Sequence, residues 1–288
     1  MLDRSLSIII LSFNEEKNIE ACLQSILALN CPIFLVDSGS TDQTLGIVEK
    51  YPVQVFHHPF ENYGAQRNWA FEHLPIQTPW ILNMDADHRI TPELAIELLQ
   101  IFSNTISEEI KGFLISRRTL FMGKWMKYGG HYPVYHAILF RKGFGKCEDK
   151  LYDQHFVVEG TCETIKTDMI DTLTDSLQSF TERHNRWSTL EAEDQFYGYA
   201  AKNTAQLVQA KANGNAQQRR RYAKSLYEKF PLFIRPFVYF IIRYFIKLGF
   251  LDGGRGLIFH FLQGFWFRFL VDAKIYELKK KRLGEMKR

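Results

Sequence analysis

Three nearly uninterrupted apolar runs, 6–11, 33–36 and 80–84, mark the first third of the chain, and each gives way to polar residues at its carboxyl end. Runs of this length bounded by turn-forming residues predict strands buried on both faces, the habit of a parallel sheet. Between the first two, Ile19, Cys22, Leu23, Ile26 and Leu27 recur at a helical period, and the polar segment after Val36 opens another helix. Alternating strands and helices predict an α/β protein with a mostly parallel central sheet flanked by helices. Further along the rhythm loosens. Residues 111–116, 137–141 and 157–158 read as strands, a glycine-rich stretch at 128–133 suits a loop, and a helix begins near Ser176.

The chemistry lies where the strands stop. The first run ends in Ser12-Phe13-Asn14-Glu15-Glu16, the second in Asp37-Ser38-Gly39-Ser40-Thr41-Asp42, and the third in Asp85-Ala86-Asp87. In an open α/β sheet, ligands bind outside the carboxyl ends of strands, so these loops are expected to converge on one crevice. Asp85 and Asp87 offer two hard oxygen ligands suited to Mg2+ or Mn2+ carrying substrate phosphates. They can face the same way if the chain stays extended through the small Ala86. Asp37 can accept hydrogen bonds from a base or ribose, or cap the turn that follows it; Ser40 and Asp42 suit helix capping. Tyr63-Gly64-Ala65 turns into a helix carrying Gln66, Arg67 and Asn68, and the planar, permanently charged guanidinium of Arg67 can pair with a diphosphate or lie on the surface.

Taken in order, Ser12 to Glu16, Val36 to Asp42, Gly64 to Asn68 and Asp85 to Asp87 resemble the linked motifs of family 2 glycosyltransferases of the GT-A fold, over roughly residues 5–190. Within that family the resemblance is to bacterial enzymes that add a sugar to lipopolysaccharide core or other lipid-linked surface glycans. It implies a nucleotide-sugar donor, a UDP-sugar, bound by Ser12, Asn14, Glu15, Asp37, Gln66, Arg67 and Asp85. It also implies a metal, Mg2+ or Mn2+, on Asp85 and Asp87. Inverting transfer needs a carboxylate to take the acceptor hydroxyl's proton. Relatives carry a His-Glu pair at Asp153-Gln154, a departure at a critical place. Asp153 is the carboxylate there, since the Gln154 amide cannot titrate, and Asp149 is the second candidate. Gly130 and His131 fall in the segment resembling the family's acceptor-shaping part. Arg186-Trp187 resembles the end of a Q-x-x-R-W signature whose glutamine is Arg183 here: Arg186 is expected to face donor phosphate, and Trp187 to floor an acceptor subsite or pack in a core. Asp171 stands near a position where some relatives have histidine, which makes it a candidate third metal ligand.

Charge divides the chain into a domain over 1–210 and a region over 211–288. The latter holds 18 Lys and Arg against 5 Asp and Glu, net +13, while the rest is net −9. Its two apolar, aromatic stretches, 230–250 and 256–271, are interrupted by Arg235, Arg243, Lys247, His260 and Arg268. A span with Arg243 near its centre would cost roughly 2.5–3.5 kcal/mol, whereas helical spacing that groups Arg243 with Lys247 suits an amphipathic helix in a membrane interface. The clusters Arg219-Arg220-Arg221 and Lys279-Lys280-Lys281-Arg282 would favour anionic lipid. No nucleic-acid-binding pattern accompanies the charge.

The 46% hydrophobic content fits an ordinary globular enzyme. Cys22, Cys31, Cys147 and Cys162 are far apart, which predicts reduced thiols without a zinc site. The amino terminus reads as a first strand, not a signal peptide. The expectation is a cytoplasmic enzyme, peripheral on the inner face of the plasma membrane, acting on a lipid-linked glycan. A sugar nucleotidyltransferase would carry a glycine-rich basic loop after the first strand, where this chain has an acidic one. A membrane scaffold that has lost catalysis is the non-enzymatic alternative, motivated by Gln154.

Overall fold

The apolar runs become strands because each feeds two cores at once. In the computed structural model, which describes residues 2–174, 176–198 and 207–285, β1 (Leu6–Ser12), β2 (Ile33–Asp37), β3 (Val53–His57) and β4 (Trp80–Asp85) are parallel neighbours in the order β3-β2-β1-β4. Ile8, Ile10, Leu35 and Leu82 enter one core together with Ile19, Leu23 and Ile26 of α1 (Ile19–Ile26). Ile9, Leu11, Phe34, Val36 and Ile81 enter the other. Alternation of side chains across the sheet thus leaves no polar face, and the sequence shows none.

α2 (Thr44–Val48) and α3 (Tyr63–His73) follow β2 and β3, and Ala70 of α3 packs on the second core. Beyond β4 come β5 (His88–Ile90), α4 (Pro92–Ser103), which Thr91 caps, and β6 (Ile110–Phe121). β8 (Tyr135–Arg141) is antiparallel to β4 and β6, and β11 (Thr161–Thr174) is antiparallel to β5. β9 (Gly145–Cys147) and β10 (Phe156–Val158) form a separate hairpin. These elements make one compact unit, residues 1–118, 134–148 and 155–171. The four cysteines are free.

A second unit gathers 119–133, 149–154 and 172–288. Among its described residues are β7 (Lys124–Trp125), paired with the end of β6, and five α-helices. α5 (Leu177–Tyr197) starts at a Ser176 cap; α6 (Ala216–Glu228) starts at a capping box in which Asn215 and Gln218 satisfy each other's backbone. α7 (Arg235–Ile241) runs into a π turn at Ile242–Ile246, and α8 (Gly253–Phe259) into another at His260–Trp266. α9 (Phe267–Glu285) packs Phe267, Val271 and Ile275 against Ala192 of α5. Among the described residues no helix is long and apolar enough to cross a membrane.

The π turns overturn one expectation. A wider turn breaks the 3.6-residue spacing, so Arg243 and Lys247 do not form a shared polar stripe. Arg243 is buried, donating to the Gly129 carbonyl at 2.7 Å and the Tyr239 hydroxyl at 2.6 Å, while Lys247 stays exposed.

Candidate active site

In the first unit the strand ends of β1, β2 and β4 meet. The Ser38 amide donates to the Ser12 carbonyl at 3.0 Å, and the Ala86 amide to that of Leu11 at 3.2 Å. Asp37, fully buried, organises its loop. Its carboxylate accepts from the Ser12 hydroxyl at 2.9 Å, the Ser40 hydroxyl at 2.5 Å and the amides of Gly39 and Ser40 at 2.9 and 2.8 Å. Burial alone would raise this acid's pKa; the hydrogen bonds from Ser40, Ser12 and Gly39 outweigh it and hold the carboxyl below the usual range. Asp37 therefore fills the turn-forming role in this structure. Asn14, at positive φ, links the two loops: its amide donates to Ser40, and its side chain accepts from the Thr41 amide at 2.8 Å. The Glu15 amide donates to Thr44, and its carboxylate accepts from Asn18.

α3 supplies the next layer. Gln66 is buried, its side chain shared among His58 and Ser38. Arg67, also buried, donates to the Met84 carbonyl at 2.9 Å and to Asp85, so it positions the carboxylate; its Nη1 has no hydrogen-bond partner. Gly64 is required at the start of α3, because a Cβ there would lie 2.3 Å from the Glu148 carbonyl oxygen.

The two aspartates come together differently from expectation. β4 stops at Asp85, and a turn at Ala86 and Asp87, rather than an extended strand, folds the chain back into β5. Among the described residues, Asp85, Asp87 and His88 offer ligand atoms that all lie within 4.8 Å of one another. Burial works against ionisation of Asp85, but the charge and hydrogen bond of Arg67, with the charge of Arg117, prevail and lower its pKa. The two carboxylates fit a hard divalent cation. His88 does not fit as simply. Its Nδ1 accepts from the Asp85 amide at 3.0 Å, while Nε2 lies 3.2 Å from Arg117 Nη1, 3.5 Å from Asp85 and 4.0 Å from Asp87. Burial keeps this ring neutral, with its pKa at about 4. With Nδ1 engaged by the backbone amide, Nε2 is the ring nitrogen that faces the two carboxylates, and it shares that place with the Arg117 guanidinium.

Sequence reasoning missed His88 and Arg117, although His88 directly follows the second aspartate. Asp171 lies opposite His88 in the β5–β11 register and pairs with Arg117 at 3.6 Å. It is not among the three grouped ligand atoms.

The second unit holds the remaining candidates. Asp153, at positive φ, accepts from Lys224 at 2.8 Å, with Arg221 at 4.0 Å. Lys224 reaches Glu191 at 3.2 Å, and Arg268 donates to both Glu191 oxygens at 2.9 and 3.1 Å. Gln154 donates to the Lys150 carbonyl, and Asp149 is exposed. Gly130 has φ +68°, and the His131 ring lies 4.5 Å from Phe259. Burial, then Arg243 and Arg220, push His131 well below the usual histidine range. Trp187 packs against Tyr152 and His184, while Arg186 is exposed on α5.

Comparison with known proteins places the chain in a family and a fold. A lipopolysaccharide core biosynthesis glycosyltransferase, LpsC, of Rhizobium meliloti (strain 1021) is 26% identical over 279 residues, covering 94% of this chain and 92% of that protein. An uncharacterized glycosyltransferase of Rickettsia conorii is 33% identical over 103 residues, 36% of each chain. A mannosyltransferase from Pyrobaculum calidifontis, solved with GDP-Man and Mn2+, aligns over 97% of this chain and 88% of its own, with a TM-score of 0.53 at 14% identity. The fold is thus GT-A. The model of glycosyl transferase family 2 matches residues 7–173, and the chain belongs to that family.

Proposed function

We propose that this protein is an inverting glycosyltransferase that moves a sugar from a nucleotide donor, a UDP-sugar, to a lipid-linked glycan in bacterial lipopolysaccharide or surface-polysaccharide assembly. It works as a peripheral protein on the inner face of the plasma membrane. The observation that carries the reading is the paired carboxylates of Asp85 and Asp87 beside loops held by Asp37, within a family 2 domain. The likeness to LpsC over most of both chains supports the acceptor class.

Asp85 and Asp87 would hold Mg2+ or Mn2+, which when bound neutralises charge on the departing nucleotide diphosphate. Arg67 fixes Asp85, and Ser12, Asn14, Glu15 and Gln66 set the loops that receive the nucleotide. Asp171, tied to Arg117, keeps His88 and the turn in place. Arg186 is assigned to donor phosphate, and Gly130, His131 and Trp187 to the acceptor. Asp153 takes the proton of the attacking hydroxyl as the new glycosidic bond forms and the bond to the diphosphate breaks, with Asp149 the alternative base.

Nucleotide release from a panel of UDP-, GDP- and dTDP-sugars, with Mn2+ or Mg2+ and membrane extract as acceptor, tests the reading. Release of UDP from one sugar is expected, falling in Asp153→Asn while donor affinity holds. Equal loss of donor affinity would remove Asp153 from the base role. UDP binding with no release from any donor would favour the catalytically silent scaffold.

A further inference from the structure

Residues 230–269 are built inside out. Three arginines that interrupt the apolar stretches are turned into the protein. Arg235 is 3% exposed and pairs with Asp272 at 2.5 Å, Arg243 is bound to Gly129 and Tyr239, and Arg268 grips Glu191. Many of the large apolar side chains are turned out, although Phe259 and Phe267 are buried. Ile234, Phe237, Ile241, Phe245, Ile246 and Phe261 are between 45% and 69% exposed. They do not lie scattered. Phe240 touches Phe245, Phe261 and Phe265 at ring distances of 6.2–6.4 Å, and Phe265 touches Phe237 and Phe269 at 4.7 and 5.8 Å. A continuous exposed apolar surface of this kind marks an interaction face.

Its occupant follows from charge. Between residues 229 and 271 the sole acidic residue is Asp252, which is buried. The exposed cations Lys229, Lys247 and Arg255 stand at the ends of the apolar stretches. Apolar side chains flanked by cations, with no exposed acid among them, match a bilayer that carries anionic headgroups over hydrocarbon. With no crossing helix among the described residues, this surface would lie in the interface and not span it.

The inner side of the same segments holds the glycine-rich loop. The Gly129 amide donates to the Lys247 carbonyl at 2.9 Å, and Arg243 donates to the Gly129 carbonyl. Asp252 accepts from the amides of Lys127 and Tyr128 at 3.2 and 3.0 Å, and a Cβ at Gly129 would sit 2.1 Å from the His260 ring. We infer that the outward face of 234–246 and 257–269 docks on an anionic lipid bilayer, and that docking presents the 127–131 loop to a lipid-linked acceptor. The second half rests on the function proposed above; the first does not.

Flotation of the full chain with phosphatidylcholine vesicles, with and without phosphatidylglycerol, tests the docking. Strong binding to the mixed vesicles and weak binding to phosphatidylcholine alone are expected. Ile246→Glu and Phe245→Glu, both at exposed positions, should each lower binding at least tenfold with an unchanged melting temperature, and Phe245→Trp should retain it. Donor hydrolysis without acceptor should be unaffected in all three, whereas transfer to acceptor embedded in vesicles should fall with binding. Flotation unchanged by both glutamates would overturn the proposal. So would a dimer, seen by light scattering, that Ile246→Glu dissociates in a protein that never binds vesicles. Loss of vesicle binding without loss of transfer would overturn the link to the loop. A wild-type protein that binds vesicles but releases no nucleotide from any donor would defeat the transferase reading while leaving the docking intact.

Discussion

The two units solve burial in opposite ways. In the first, isoleucine and leucine fill both faces of β1, β2 and β4, while charged groups gather at strand ends. In the second, arginines are buried with bonded partners, and phenylalanines and isoleucines face outward along α7 and the turns that follow α7 and α8. Each arrangement has a physical requirement. Apolar burial contributes about 25 cal/mol per Å2 removed from water, which the first unit realises within itself and the exposed surface of the second does not. A buried charge must be compensated, and the second unit does this through Arg235 with Asp272 and Arg268 with Glu191. The contrast teaches that composition alone misplaces the tail: its arginines look like the polar stripe of an amphipathic helix, yet they are the part that holds the protein together.

The sharpest way to separate the units is to damage one function and read both. Asp87→Ala should lower turnover about 10²- to 10³-fold, the scale of losing one partner to developing charge, and abolish metal-dependent donor binding in calorimetry, with vesicle flotation unchanged. Donor affinity that survives the substitution would remove Asp87 from the metal site. The stability counterpart lies in the buried ion pair. Arg235→Ala leaves Asp272 buried without its cation and should cost about 3–5 kcal/mol in urea unfolding. If the loss stays below 1 kcal/mol, the inward arginines are not structural and the inside-out reading fails.

A matched pair of apolar substitutions tests the contrast more finely. Leu82, fully buried in the sheet core, should cost about 2–5 kcal/mol as Leu82→Ala. Ile246, 69% exposed, should change stability in water by no more than about 0.5 kcal/mol as Ile246→Ser. Comparable losses at both sites would mean that the Ile246 surface is covered in solution.

Much of the first unit was legible because its signals are local. A strand buried on both faces has to be apolar at successive positions, and a parallel strand end has to present its loop to ligand, so 6–11, 33–36 and 80–84 declared both fold and crevice. The turn at Ala86 was less legible, since Asp-x-Asp is equally compatible with an extended strand, and what bends it is the distant pairing of β5 with β11. His88 was missed because its role depends on an Nδ1 contact with a backbone amide, which leaves no mark in residue spacing. The tail was misread at Arg243 for a related reason. Periodicity assumes a regular helix, and two π turns shift the register by an amount that sequence does not announce. The network from Asp153 through Lys224 and Glu191 to Arg268 joins residues from four separate segments and was invisible for the same reason.

The gentlest probe returns to the first unit, where the acid at the end of β2 is held by hydrogen bonds instead of a cation. Because those bonds keep the Asp37 carboxyl below its usual range, the unfolded chain binds a proton there before the folded one does. Its contribution is therefore complete above the ordinary carboxylate value of about 4 and is lost as pH falls through the lower folded-state value. Asp37→Asn removes the titration while keeping one acceptor oxygen for the loop amides. Urea unfolding from neutral pH down through the acid range should therefore show the wild-type advantage at its full size near neutrality and shrinking in acid. A difference that stays constant down to the lowest pH would mean that the loop depends on the shape of the side chain and not on its charge. The donors of Ser12, Gly39 and Ser40 would then be equally content with an amide, and the tilt toward an ionised carboxyl would have to come from elsewhere in the strand-end cluster.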